Sequence, residues 1–301
     1  MADNTEIAWA DSTFNPWIGC TKVGPGCDNC YAEADFDKRR GRVKWGAGNP
    51  RSKTKTWGDP VKWNKQPFCE CMNCGWRGEL RAGALIKNPE GFHPPVDAMR
   101  ACTSCNLYLL KEARRRVFCA SLADVFDNEV PTEWRLDLFD LIETTENLSW
   151  LLLTKRIGNV AAMIKSRWSH KLPNNVWLGA TICNQEEADR DIPKLLQMPA
   201  AIRWISVEPM LGAVDLSKYL GEISWNVIGG ESGRNARPMN IEWAKDIVRQ
   251  CKAAGIPVLM KQLGAKPIDR EGQPYKVSDS HGSIMAEFPE ELRIREYPVK
   301  P

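Results

Sequence analysis

Three cysteines near the start of the chain, Cys20, Cys27 and Cys30 in CTKVGPGCDNC, have the types and spacing to hold iron and sulfide. Gly24, Pro25 and Gly26 lie between them, and glycine backbone lets thiolates converge without Cβ clashes. Three is an informative count. A [4Fe–4S] cluster held by three thiolates keeps one iron open, whereas a structural zinc ion takes four ligands. The expected use of an open iron is to bind S-adenosylmethionine (SAM) and cleave it reductively to a 5′-deoxyadenosyl radical. The usual spacing for that chemistry is C-x3-C-x2-C; here the first gap is six residues and the final C-x2-C is kept. The competing reading is a zinc site completed by a remote fourth ligand.

A second group pairs Cys71 and Cys74 with Cys102 and Cys105, two C-x2-C knuckles with 27 residues between them. Such knuckles each clamp one side of a tetrahedral ion, so the spacing predicts a closed, structural Zn2+ site of zinc-ribbon type, with Cys69 as a spare sulfur. Cys119, Cys183 and Cys251 each sit inside an apolar segment and read as small buried hydrophobes. Eleven cysteines in a chain whose first residues carry no apolar signal segment argue for metal ligation in a cytoplasmic setting, not for disulfides. No apolar run is long enough to span a bilayer, so no membrane partner is expected.

These groups need a scaffold. Apolar runs at Val117–Leu122, Trp150–Leu153, Val176–Ile182, Ile202–Val207, Trp225–Ile228 and Val258–Met260, with a further strand around Phe14–Ile18, alternate with helical patterns such as Glu186–Gln197 and Ile241–Ala254. That alternation predicts an α/β fold, a partial or full (β/α) TIM-type barrel, with the zinc module inserted. The expected parts are 1–65 with the cluster loop and a basic loop, 66–112 as the inserted module, 113–265 as the remaining barrel, and 266–301 as a surface extension. In such a barrel the chemistry gathers where strands end. Those ends carry Asp124, Lys155, Arg156, Glu208, Gly229, Gly230, Glu231, Ser232, Lys261 and Gln262. Lys155, Arg156 and Lys261 would offer positive charge to a carboxylate or phosphate. Glu231, beside the diglycine, would accept the SAM amino group while the glycines allow close approach.

Net charge is only +3, so any nucleic-acid surface must be local. Residues 38–65 are the candidate: ten basic residues against one acid, with three Trp interleaved. Thirteen Trp in the chain suit pocket walls or core packing. The three histidines, His93, His170 and His281, fall in the insertion, a basic loop and the tail, away from strand ends, which excludes a serine–histidine triad.

The blocks TFNPWIGCTKVGPGCDNCYAE, ASLADVFDNEVP, LLLTKR, NVWLGATICNQ, IRWISVEPMLGAVDL, NVIGGESGRNARPM and VLMKQLG together resemble an uncharacterised family of phages and bacteria grouped with radical-SAM-like TIM barrels. The resemblance covers about residues 5–265 outside the 66–112 insertion. It implies a partial TIM barrel and assigns cluster ligation to Cys20, Cys27 and Cys30. It supplies no substrate. Cys183 in GATICN stands where the family carries an acidic residue, so a strand-end carboxylate is expected to be missing. Two functional readings follow: a radical-SAM-like iron–sulfur enzyme acting on an unknown substrate, nucleic acid or nucleotide among the candidates, or a non-catalytic, metal-containing phage protein that binds nucleic acid through loop 38–65 and the zinc ribbon.

Overall fold

The computed structural model describes residues 3–79, 101–107, 109–168 and 171–298. Seven strands form one curled, fully parallel sheet: β1 (Ser12–Phe14), β2 (Arg115–Cys119), β3 (Leu148–Thr154), β4 (Val176–Ile182), β5 (Ile202–Val207), β6 (Trp225–Gly229) and β7 (Val258–Gln262). Each strand lies beside its successor in the chain, so the sheet winds steadily in one direction as a half-barrel. Helices α1 (Thr132–Thr144), α2 (Ile157–Trp168), α3 (Gln185–Leu196) and α4 (Ile241–Ala253) form four of the six crossovers that parallel neighbours require.

The strands are apolar on both faces because both faces are covered. Leu148, Trp150, Leu152, Val176, Leu178 and Ile205 pack outward with the helices. The alternate residues Leu151, Trp177, Trp204, Trp225, Val227 and Leu259 form a separate inner core with Trp9 and Phe118. The tryptophans are therefore mainly packing. Trp204 is fully buried, with ring centroids 5.2 Å from both Trp9 and Trp225, and its indole N–H donates to the Trp177 carbonyl at 3.2 Å. Gly179 on β4 pairs with Trp204 and makes room for it.

Several boundaries differ from the sequence reading. The strand expected around Phe14–Ile18 is split: Asn15–Pro16 ends β1, and Trp17–Ile18 turns away to pair antiparallel with Ser52–Lys53. Pro16 has no N–H to continue a ladder. The stretch 38–65 is not wholly irregular, since Asp59–Lys65 is helical, with Pro60 in its first turn and Trp63 buried. The segment after residue 265, expected as a surface extension, packs onto the half-barrel. Phe288 and Leu292 join the main core, and Ile294–Glu296 bonds along β7, covering the otherwise open edge of the sheet. Of the expected 66–112 module, residues 80–100 and 108 lie outside the described residues, as do His93 and His170.

An alanine Cβ at position 179 would sit 2.4 Å from the Trp204 ring, which its aromatic neighbours hold in place. Gly179→Ala should therefore destabilise the fold by about 1–3 kcal/mol. A urea-unfolding midpoint equal to that of the wild type would contradict this packing.

Candidate metal centres and the strand-end rim

Two separate cysteine sites are present. In the first, Phe68–Cys71 pairs antiparallel with Arg77–Glu79 and with Leu110–Glu112, a three-stranded sheet carrying both knuckles. Each knuckle is closed in the same way. The residue after its second cysteine, Gly75 or Asn106, has left-handed backbone (φ 70° and 58°), and its N–H returns to the carbonyl of Cys71 or Cys102. The Sγ atoms of Cys71, Cys74, Cys102 and Cys105 all lie within 4.8 Å of one another. The Cys71–Cys105 and Cys74–Cys102 separations are 3.7 and 3.5 Å. A tetrahedron with Zn–S bonds of about 2.3 Å needs edges of about 3.8 Å, so this group can hold a metal such as zinc. The backbone N–H of Cys74, then those of Asn73 and the neighbouring thiols, overcome burial and lower the Cys71 pKa to about 7. Cys69 stays out of the group, with its thiol 3.5 Å from the Gly78 carbonyl.

The second site is the rim formed by the strand ends. The loop from Gly19 to Tyr31 lies across it. Gly26 is pressed so close to β4 that a Cβ would fall 2.4 Å from Cys183 Sγ and 3.2 Å from Lys155 Cε. Among the described residues, Cys20, Cys27 and Cys30 do not form a group as tight as the four knuckle thiols. All three are half-buried.

Two charged anchors hold this loop. At one end, Arg156 donates to Cys20 Sγ at 3.3 Å, to Asp124 Oδ2 at 3.2 Å and to the Thr21 carbonyl at 2.5 Å. Asp124 also accepts from Thr154 Oγ1 and from the backbone N–H groups of Lys155 and Phe126. Burial foremost, and then Asp124, pushes the Cys20 thiol up to about 12 against the opposing pull of Arg156. At the other end, Glu231 accepts from Asn29 Nδ2 at 3.1 Å and from Arg237 at 2.6–2.9 Å, while Arg237 also donates to Asp28 and the Pro25 carbonyl.

Between the anchors sits a mixed-charge patch. Lys261 is ion-paired with Glu208. Burial pulls the Lys155 pKa down, while Cys27, Cys183, Asp124 and Glu208 pull it up. The four neighbours prevail, and the pKa lies above the ordinary lysine value. Beneath the patch, Thr181 and Ser206 are paired across β4 and β5, in phase with Gly179 and Trp204 on the inner face. Their hydroxyls are buried and have no hydrogen-bond partner among the described residues. Such orphaned groups cost free energy unless a ligand or water meets them.

The strand-end residues thus divide. Lys155, Glu208 and Lys261 share the rim with the cysteine loop. Arg156 and Asp124 are buried against each other, so Arg156 is not a free cation for a substrate. Gln262 does not face the rim: its amide donates to the Gly230 carbonyl at 2.8 Å and ties two strand ends together. Gly229 lies against the Glu208 side chain, whereas Gly230 makes room for the chain itself, since a Cβ there would be 2.2 Å from the Leu263 carbonyl oxygen. Glu231 is engaged by Arg237 and Asn29, so it is not an open acceptor for an amino group; Ser232 beside it is half-buried.

Several residues at this site escaped the sequence reading. Glu187, in the first turn of α3, brings a carboxylate beside Cys183: it accepts the Cys183 N–H at 2.8 Å, and a Cβ on Gly24 would fall 2.6 Å from it. Its only sequence signal is the capping-box spacing Asn184-x-x-Glu187. Cys183 is buried as expected, but at the rim and not deep in the core. Asn29 and Arg237 lie within GCDNCYAE and NVIGGESGRNARPM, but nothing in those segments shows that the two meet at Glu231.

Two surface cavities of about 480 and 490 Å3 open near the opposite strand ends, around Arg114, and neither borders the cysteine loop. The ten basic residues of 38–65 are mostly neutralised. Arg51 is buried against Asp127 and Glu129, Lys53 meets Asp137, and Lys38, Arg39, Arg40, Lys44 and Lys62 pair with Glu33, Asp35, Asp37 or Asp59. Among the described residues no helix is long and apolar enough to cross a membrane.

A family model described as "Protein of unknown function (DUF5131)" matches residues 4–289. No curated protein and no solved structure matches the chain.

Because thiolates bind metal and thiols do not, protons should compete at the four-cysteine site as pH falls through the Cys71 pKa of about 7. Zinc affinity measured by chelator competition should be clearly weaker at about pH 6 than at about pH 8. Equal affinity at both, or undiminished zinc in a Cys71→Ser/Cys74→Ser variant, would contradict the assignment.

Proposed function

The chain belongs to that DUF5131 family, and we propose that it is a radical-SAM-like iron–sulfur enzyme whose cluster is held by Cys20, Cys27 and Cys30. The observation that carries this reading is the three-cysteine loop lying on the strand-end rim of a parallel half-barrel, where enzymes of barrel type keep their chemistry. A cubane spreads its thiolates over three corner irons, so it suits three cysteines that are not gathered as tightly as ligands of one ion. When bound, a [4Fe–4S] cluster with one open iron supplies the electron that cleaves SAM.

The chain's own residues would then bind and orient. Lys155 sits over Cys27 and Cys183 and offers a cation to a carboxylate. Glu208, paired with Lys261, is a rim carboxylate for an amino group, in place of Glu231, which fastens the loop. The orphaned Thr181 and Ser206 hydroxyls give the floor of the rim unspent hydrogen bonds for a polar ligand. The four knuckle cysteines act as a structural zinc ribbon. A cytoplasmic setting belongs to this reading, since a reducing compartment keeps cysteines free for metal.

The non-catalytic, nucleic-acid-binding alternative is less well supported. Of the ten cations in 38–65, only Arg42, Lys55 and Lys65 make no ion pair among the described residues. Nucleic acid remains a candidate substrate, but with a weak electrostatic term and so a shallow salt dependence.

Anaerobically loaded wild-type protein given SAM and a strong reductant should release 5′-deoxyadenosine, and Cys27→Ala should not. No product from wild type carrying a full complement of iron, or equal product from both, would overturn the reading.

A further inference from the structure

We propose that Arg156 sets the reduction potential of the cluster by hydrogen bonding to the Cys20 sulfur. The inference rests on the proposed function and gives Arg156, the last residue of LLLTKR, a positioning role in place of the substrate-binding role expected from the sequence. Its basis is geometric. The guanidinium donates to Cys20 Sγ at 3.3 Å and to the carbonyl of the next residue, Thr21, so one fork grips the ligand and its backbone together. The side chain is only 7% exposed. It cannot swing away, because Asp124 holds it from below, and Asp124 is itself fixed by Thr154 Oγ1 and two backbone N–H groups.

The three cysteines are unequal in this respect. Among the described residues, Cys20 alone of the three receives a side-chain hydrogen bond at its sulfur. Hydrogen bonds to cluster sulfurs, together with net charge and solvent exposure, set iron–sulfur potentials. A donor at a ligand sulfur stabilises the reduced form, which carries the extra negative charge, and so raises the potential. A buried pair such as Arg156–Asp124 adds little net charge. Its main effect on the cluster is therefore the directed N–H bond and the exclusion of water from Cys20.

The test is a redox titration of anaerobically loaded protein, following the reduced cluster by electron paramagnetic resonance. Arg156→Lys keeps the charge and loses the fork. Removing the arginine alone would leave Asp124 buried and uncompensated, so the second variant is Asp124→Asn/Arg156→Gln, which replaces the ion pair with a neutral pair. Circular dichroism establishes that each is folded. Both should have a more negative midpoint: at an applied potential equal to the wild-type midpoint, the reduced-to-oxidised ratio should fall by about tenfold, equivalent to about 59 mV for one electron. An unchanged midpoint in both folded variants overturns the inference while leaving the iron–sulfur reading intact. Loss of iron from both folded variants also overturns it, since Arg156 would then retain the cluster and not tune it. Absence of any cluster signal from the wild type overturns the iron–sulfur reading, and this inference with it.

Discussion

The buried pair of Arg156 and Asp124 is the joint on which this molecule's candidate chemistry depends. Asp124 follows β2 and Arg156 follows β3, so the pair can form only once those neighbouring strands are in register. Arg156 then reaches the cysteine loop through Cys20 and Thr21. The sheet, the crossover after β2 and the candidate cluster loop are thereby fastened at one point. Breaking such a pair by removing one partner strands a charge in a dry environment, which costs several kcal/mol, so the joint works as a unit. The second anchor, Arg237 with Glu231 and Asp28, repeats the logic at the far end of the loop with more exposed partners.

The two cysteine sites show how one residue type serves different ends. The knuckle thiols are gathered by antiparallel strands and left-handed turns, and backbone N–H groups favour the thiolate at Cys71. That small sheet is moored to the half-barrel by Arg77, whose guanidinium binds Asp11 and Glu70, and by the buried Arg115, paired with Glu79. At the rim the environment opposes ionisation: burial and then Asp124 raise the Cys20 thiol, against the pull of Arg156.

Much of the scaffold was legible in the sequence because a parallel sheet buries both faces of its strands. Runs such as VWLGATI and IRWISV are then nearly continuous in apolar residues. The knuckles were legible because their spacing is local. What escaped depends on contacts between distant segments. Arg51 reads as part of a basic loop until Asp127 and Glu129, more than seventy residues on, are brought against it. Glu231 reads as an open carboxylate until Asn29 and Arg237 close on it. The tail from residue 265 has weak periodicity because its work is to cover an edge strand, which backbone hydrogen bonds do without any side-chain pattern. The diglycine at 229–230 suggested space for a ligand, whereas Gly230 is filled by the chain's own Leu263 carbonyl.

Two metal centres of different kind are proposed for this chain, iron–sulfur on the rim and zinc in the small sheet. The most direct measurement is the iron and zinc content of protein purified and reconstituted without oxygen. About four irons and about one zinc per chain are predicted, with the iron alone lost when Cys20, Cys27 and Cys30 are replaced together. Two zincs and no iron, or iron undiminished in the triple variant, would contradict the account.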